Sequence, residues 1–101
     1  MDSEALKRRT KEFALRVLRL LDSIPHGRIE DVLVRQLAKA ATSVGANYRA
    51  ACRARSKADF VSKITIVEEE ADETQYWLEL LMDPGRAKPT EIVALLEMDN
   101  P

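Results

Sequence analysis

The longest regular feature of the chain is an apolar seam at Phe60, Ile64, Val67, Ala71, Thr74, Leu78 and Leu81, which steps alternately by four and three residues. A 3.5-residue period held for three heptads reads as an α-helix. It also calls for near-parallel or antiparallel helix packing with a left-handed twist, rather than steep globin-like crossings. Two earlier segments repeat the pattern. The first is Leu6, Thr10, Phe13, Val17, Leu20 and Ile24, widened by Ala14, Leu18 and Leu21. The second is Leu33, Leu37, Ala40, Val44, Asn47 and Ala51, flanked by Val34, Ala41, Gly45, Tyr48 and Cys52. Three such stripes need one another to bury their apolar faces. Composition agrees, with 46% hydrophobic and 33% charged residues, 5% aromatics, 3 Gly and 4 Pro, a globular and helix-leaning profile. At 101 residues the chain has room for one domain.

The breaks between stripes set the boundaries. Ser3 is placed to cap a first helix predicted at 4–22, and Ser23-Ile24-Pro25-His26-Gly27 ends it, because proline disfavours helix at the preceding residue. A second helix is predicted at 28–55, with a bend where Thr42, Ser43 and Gly45 fall together. Ser56 and Asp59 have the spacing of a capping box and open a third helix at 57–82. Helices two and three, at ~42 and ~39 Å, match in length and predict a long antiparallel hairpin. Asp83-Pro84-Gly85 stops helix three, and Pro89 fits the first turn of a last helix at 90–98. The expectation is all-α: an up-down-up-down antiparallel four-helix bundle with a short fourth helix, forming a single domain over 1–101.

Charge is segregated along the chain. Through Lys63 there are 14 Lys and Arg against 7 Asp and Glu; from Ile64 onward there are 2 against 10. Arg35, Lys39, Arg49 and Arg53 form a basic stripe on helix two, opposite its seam, which Lys7, Arg8, Arg9, Lys11, Arg16 and Arg19 of helix one can extend. Either these cations are neutralised within the fold or across a subunit contact, by residues such as Glu68, Glu69, Asp72 and Glu79, or they contact the phosphates of RNA or DNA. No aromatics are interleaved for base stacking, so sequence-specific readout is not indicated.

Other residues off the main seams carry narrower expectations. Ile66, Trp77 and Leu80, with Glu73, fall on a second strip of helix three, either a widening of the core or a subunit interface; a lone Trp among aliphatics favours the interface. Asn47 on the second seam needs a hydrogen-bond partner, for which Glu73 and Gln36 are candidates, and predicts a buried polar pin that fixes register. Catalysis is not indicated. His26 is the sole histidine, Cys52 the sole cysteine and expected to pack as a small apolar side chain, and no phosphate loop or metal-spaced ligand set exists. No catalytic residue, metal, cofactor or small-molecule substrate is therefore expected. The absence of an apolar run near ~20 residues and of a secretory signal points away from the membrane and towards the cytoplasm.

Taken together, Gln36, Ala40, Ala41, Ser43 and Asn47, then Arg55-Ser56 and Phe60, followed by a long helix containing Glu73, resemble the bacterial four-helix-bundle family of proteins encoded in intervening sequences of large-subunit ribosomal RNA genes. The accessory proteins of diversity-generating retroelements are similar. The chain departs from the pattern with Ala50 and Ala51 in place of an acidic residue and a glycine, and with Gly45 in place of a frequent proline. The resemblance implies an up-down four-helix bundle assembled as a ring-like homopentamer, without catalysis and with a nucleic-acid connection. The resulting reading is a non-enzymatic oligomeric assembly or scaffold module; the alternative is an RNA- or DNA-binding accessory protein acting through the basic stripe.

Overall fold

In a computed structural model, which describes residues 2–83, the chain forms three α-helices: α1 (Ser3–Asp22), α2 (Arg28–Cys52) and α3 (Lys57–Met82). The helix expected at 90–98 lies outside the described residues. The fold over the described residues is all-α, and each helix starts and stops for an identifiable reason.

Asp2, not Ser3, caps α1: its carboxylate accepts the Ala5 N–H at 2.8 Å, so the helix starts one residue earlier than Ser3 as cap predicts. Glu4 in the first turn and Arg19 in the last both suit the helix dipole. At the far end the Ser23 hydroxyl donates to the Leu20 carbonyl at 2.6 Å, and Pro25 prevents continuation. Gly27 precedes α2 and offers no side-chain cap. Asp31, in the first turn, reaches back instead to accept from the Gly27 N–H at 3.4 Å and to pair with His26 Nδ1 at 3.1 Å.

Helix α2 ends at Cys52, three residues short of the expected 55. Arg53 N–H and Ala54 N–H close the last turn on the carbonyls of Ala50 and Ala51, at 3.1 and 3.0 Å. The next cap then claims the following backbone. Ser56 accepts from the Asp59 N–H at 3.0 Å, and the Asp59 carboxylate reaches back past the cap residue to the Arg55 N–H at 3.3 Å, one residue earlier than the Ser56 N–H that a capping box would engage. The expected bend at Thr42, Ser43 and Gly45 does not interrupt the helix. The Thr42 hydroxyl does back-bond, to the Ala38 carbonyl at 2.8 Å, but α2 remains helical throughout.

Helix α2 is the centre of the molecule. Helices α1 and α3 each pack on it, and among the described residues their backbones do not come within 8 Å of each other. Leu33, Leu37, Ala40, Ala41, Val44 and Ala51 of α2 are buried, whereas α1 buries Val17 and Leu21 and α3 buries Thr74 alone. Val17 and Leu21 meet Leu37 and Ala41 in one cluster, with Trp77, Leu78 and Leu81 of α3 packed against it. Small residues set the α1–α2 spacing: a Cβ added to Gly45 would stand 3.2 Å from the Thr10 hydroxyl. The long seam of α3 is covered only along part of its width. Thr74 lies at its buried centre with its hydroxyl bonded to the Glu70 carbonyl at 2.7 Å, which satisfies a polar atom in an apolar contact. Phe60 at the same seam's start remains 43% exposed, as does Phe13 of α1 at 37%.

Candidate functional site

The cations of the first two helices gather where the start of α1 runs beside the end of α2. A groove there is walled by Lys7, Arg8 and Lys11 on one side and by Arg49 and Arg53 on the other. It continues over a floor of small residues, Thr10, Ala14, Thr42, Gly45 and Ala46. Gly45 lets the two helices meet along this floor, since a Cβ there would stand 3.2 Å from the Thr10 hydroxyl. Glu4 is the carboxylate on this rim, and its partner is Lys7 at 3.2 Å. Arg8, Lys11, Arg49 and Arg53 have no ion-pair partner among the described residues.

The expected stripe is thus divided. Arg49 and Arg53 join α1 cations in the groove, while Arg35 and Lys39 stand exposed further along α2 and do not line it. Arg16 and Arg19 lie elsewhere on α1, beside Glu12 and Leu15. The α1 contribution is legible only once the sequence is wound: Lys7 and Lys11 sit one turn apart, on the flank of the Thr10–Val17 seam that turns towards α2.

Neutralisation within the chain by α3 is not what the geometry gives. Glu68, Glu69, Asp72 and Glu79 are exposed and have no ion-pair partner among the described residues; Glu79 accepts from Gln75 at 3.5 Å on its own helix. The Lys63–Asp59 pair, at 3.6 Å, is likewise a local contact one turn apart. The reason is placement. Asp72 and Glu79 stand on α3 roughly 140–160° around from Thr74, the residue buried against the rest of the fold. Val61 and Tyr76, each 54% exposed, share that outer face.

The strip of Ile66, Trp77 and Leu80 is half-buried within the single chain, and Trp77 touches the Val17–Leu37 cluster. Its indole N–H donates to Glu73 at 3.1 Å, and its ring meets Tyr76 edge-on at 5.2 Å. Glu73 is therefore an exposed partner of Trp77 rather than part of a buried polar pin. Asn47, half-buried, donates instead to the Ser43 carbonyl at 2.9 Å on its own helix, one turn back, so neither Glu73 nor Gln36 is needed to satisfy it.

Cys52 is an exposed free thiol at the end of α2, not a packed apolar side chain. Desolvation raises the neighbouring Tyr48 phenol above its ordinary 10.0, with the Cys52 thiol and the carboxylates of Asp2 and Glu4 adding to the effect. Asp31 is shifted the other way, below 3.8, by its bonds to His26 and the Gly27 N–H. Among the described residues no group of three or more His, Cys, Asp or Glu is arranged to hold a metal ion, and no helix is long and apolar enough to cross a membrane.

With this geometry in view, comparison with known proteins is decisive on kinship. The model of the 23S rRNA-intervening sequence protein family matches residues 3–99. The chain belongs to that family. A crystal structure from Bacteroides thetaiotaomicron, a protein of unknown function from the S23 ribosomal protein family, superposes with a TM-score of 0.75 at 35% identity, covering 96% of this chain and 87% of that one. No curated protein matches. For this intervening-sequence family member, the match spans α1 to α3 and extends past them, so all three helices and the groove between α1 and α2 lie within the family's common region.

Proposed function

We propose that this intervening-sequence family member is a non-enzymatic assembly module: a four-helix bundle, completed by the helix expected at 90–98, that associates with copies of itself, as a homopentamer, in the cytoplasm. The observation that carries the reading is apolar surface on both outer helices. Phe13, Leu15 and Leu18 of α1 and Phe60, Val61, Tyr76 and Met82 of α3 are each at least about one-third exposed. A fourth helix of about three turns covers part of such a surface, and a neighbouring subunit covers the rest. Native mass spectrometry and light scattering at micromolar concentration test the proposal. A mass five times that of the 11.4 kDa chain is expected, and a stable monomer would remove the proposal.

A second reading has its own support. The α1–α2 groove presents Lys7, Arg8, Lys11, Arg49 and Arg53 with Glu4 as the carboxylate on the rim, a surface that suits a phosphate backbone, and the family's name refers to ribosomal RNA. Under this reading the protein is an RNA- or DNA-binding accessory, and Arg35 and Lys39 add weaker contacts outside the groove. Retention of RNA should fall by orders of magnitude between ~50 and ~200 mM salt. RNA retention that is absent at low salt would end this reading.

A further inference from the structure

We infer that the groove between α1 and α2 receives the outer face of α3 from a second copy of this chain. The inference rests on the oligomeric reading above and names the surfaces that meet. The groove brings together Lys7, Lys11, Arg49 and Arg53 over an apolar floor that includes Ala14 and Ala46. The outer face of α3 carries the matching elements with the opposite sign: Glu68, Asp72 and Glu79 fall on one side of the helix, interleaved with Val61 and Tyr76. Among the described residues neither set of charges is paired across helices, and the outer face of α3 points away from the groove of its own chain, because it lies roughly 140–160° around the helix from Thr74, the residue buried against the rest of the fold.

Symmetry narrows the arrangement. A two-fold contact through the groove would set its cations against themselves, and one through the outer face of α3 would do the same with carboxylates. Groove against face is attractive, and because the two surfaces lie on different elements the contact is head-to-tail, the kind that closes into a ring when the rotation permits. Opposite charge on the two faces also favours this register over the like-with-like alternatives. Interleaved Tyr and Val supply the apolar area that exposed ion pairs, worth little each, do not.

Charge reversal on each side, then on both, tests this. One variant carries Lys11→Glu, Arg49→Glu and Arg53→Glu; another carries Glu68→Lys, Asp72→Lys and Glu79→Lys; a third carries all six. These positions are exposed, and circular dichroism reports whether helix content is kept. Each one-sided variant is expected to fall to the 11.4 kDa mass of a single chain in native mass spectrometry, and the six-fold variant to return to the wild-type mass, since complementarity is restored with its sign inverted. Wild-type assembly should also weaken as salt rises from ~50 to ~500 mM. A one-sided variant that keeps the wild-type mass, a helical six-fold variant that stays monomeric, or an assembly indifferent to salt overturns the inference while leaving oligomerisation standing. If groove reversal leaves the mass unchanged but abolishes retention of RNA at low salt, the groove belongs to nucleic acid and the inference also falls. A monomeric wild type removes the oligomeric reading itself.

Discussion

Gly45 and Thr74 show what single positions do in a fold built around one central helix. Glycine inside a helix normally costs ~1 kcal/mol relative to alanine, yet here it lets α1 approach to within 3.2 Å of where a Cβ would stand. Gly45→Ala should therefore be close to neutral in urea unfolding, its helix-propensity gain offset by displacement of Thr10. Gly45→Leu should cost ~1–3 kcal/mol, because the added atoms have no space on that face. Thr74, 1% exposed, bonds its hydroxyl within its own helix, so Thr74→Val leaves no orphaned partner and should change stability by less than ~1 kcal/mol. Thr74→Ser keeps the hydroxyl, loses a buried methyl and should be the more damaging of the two, at ~1 kcal/mol. Winding the sequence at 3.6 residues per turn placed Thr74 on the seam and Gly45 beside the second seam. It offers Glu73 and Gln36 as partners for Asn47, which bonds its own helix instead, and it expects Cys52 to pack, whereas Cys52 faces solvent. Asn47 and Cys52 are settled by a choice between local backbone and distant side chains, and by where α2 stops, neither of which periodicity encodes.

At the scale of elements, the caps carry most of what was legible and most of what was not. The Ser56–Asp59 pair is a spacing rule: its serine half forms as the spacing predicts, at 3.0 Å, while the carboxylate takes the Arg55 N–H at 3.3 Å in place of the Ser56 N–H. Ser56→Ala should accordingly lower stability by ~1 kcal/mol, measured by the shift of the denaturant midpoint at unchanged slope. The same pair explains why α2 ends early: a side chain from the next helix takes the Arg55 N–H, and a preference read segment by segment misses such competition. Helix α2 begins under a different device. Its glycine cap donates nothing from a side chain, and Asp31 serves from within the first turn. Because the folded state holds the Asp31 carboxyl below its ordinary 3.8, its contribution is fully present above the unfolded value and is lost as pH falls through the lower folded value. Unfolding midpoints measured from about pH 5 to pH 2 should therefore drop less steeply in Asp31→Asn than in the wild type.

For the whole molecule, the sequence pattern correctly indicates two long helices of matched length, α2 of 25 and α3 of 26 residues, but it exaggerates how much of each stripe the described residues cover. The α3 seam runs through seven positions, and Thr74 alone among them is buried. An apolar stripe records which residues avoid water somewhere, not whether the cover comes from the same chain. The charge pattern has the same ambiguity. Two oppositely charged segments are visible at once, whereas the turning of the α3 carboxylates to the face opposite buried Thr74, away from the cations of α1 and α2, is a property of the assembled helices.

Because among the described residues the backbones of α1 and α3 each lie close to α2 and not to each other, the backbone of the molecule should not open uniformly. Either outer helix can detach while the other pair survives, but no partial opening frees α2 without breaking both contacts. Amide protons near Leu37 and Ala41, where nothing of the side chain is exposed, should consequently exchange with deuterium only through global unfolding, and those of the outer turns of α1 and α3 much faster.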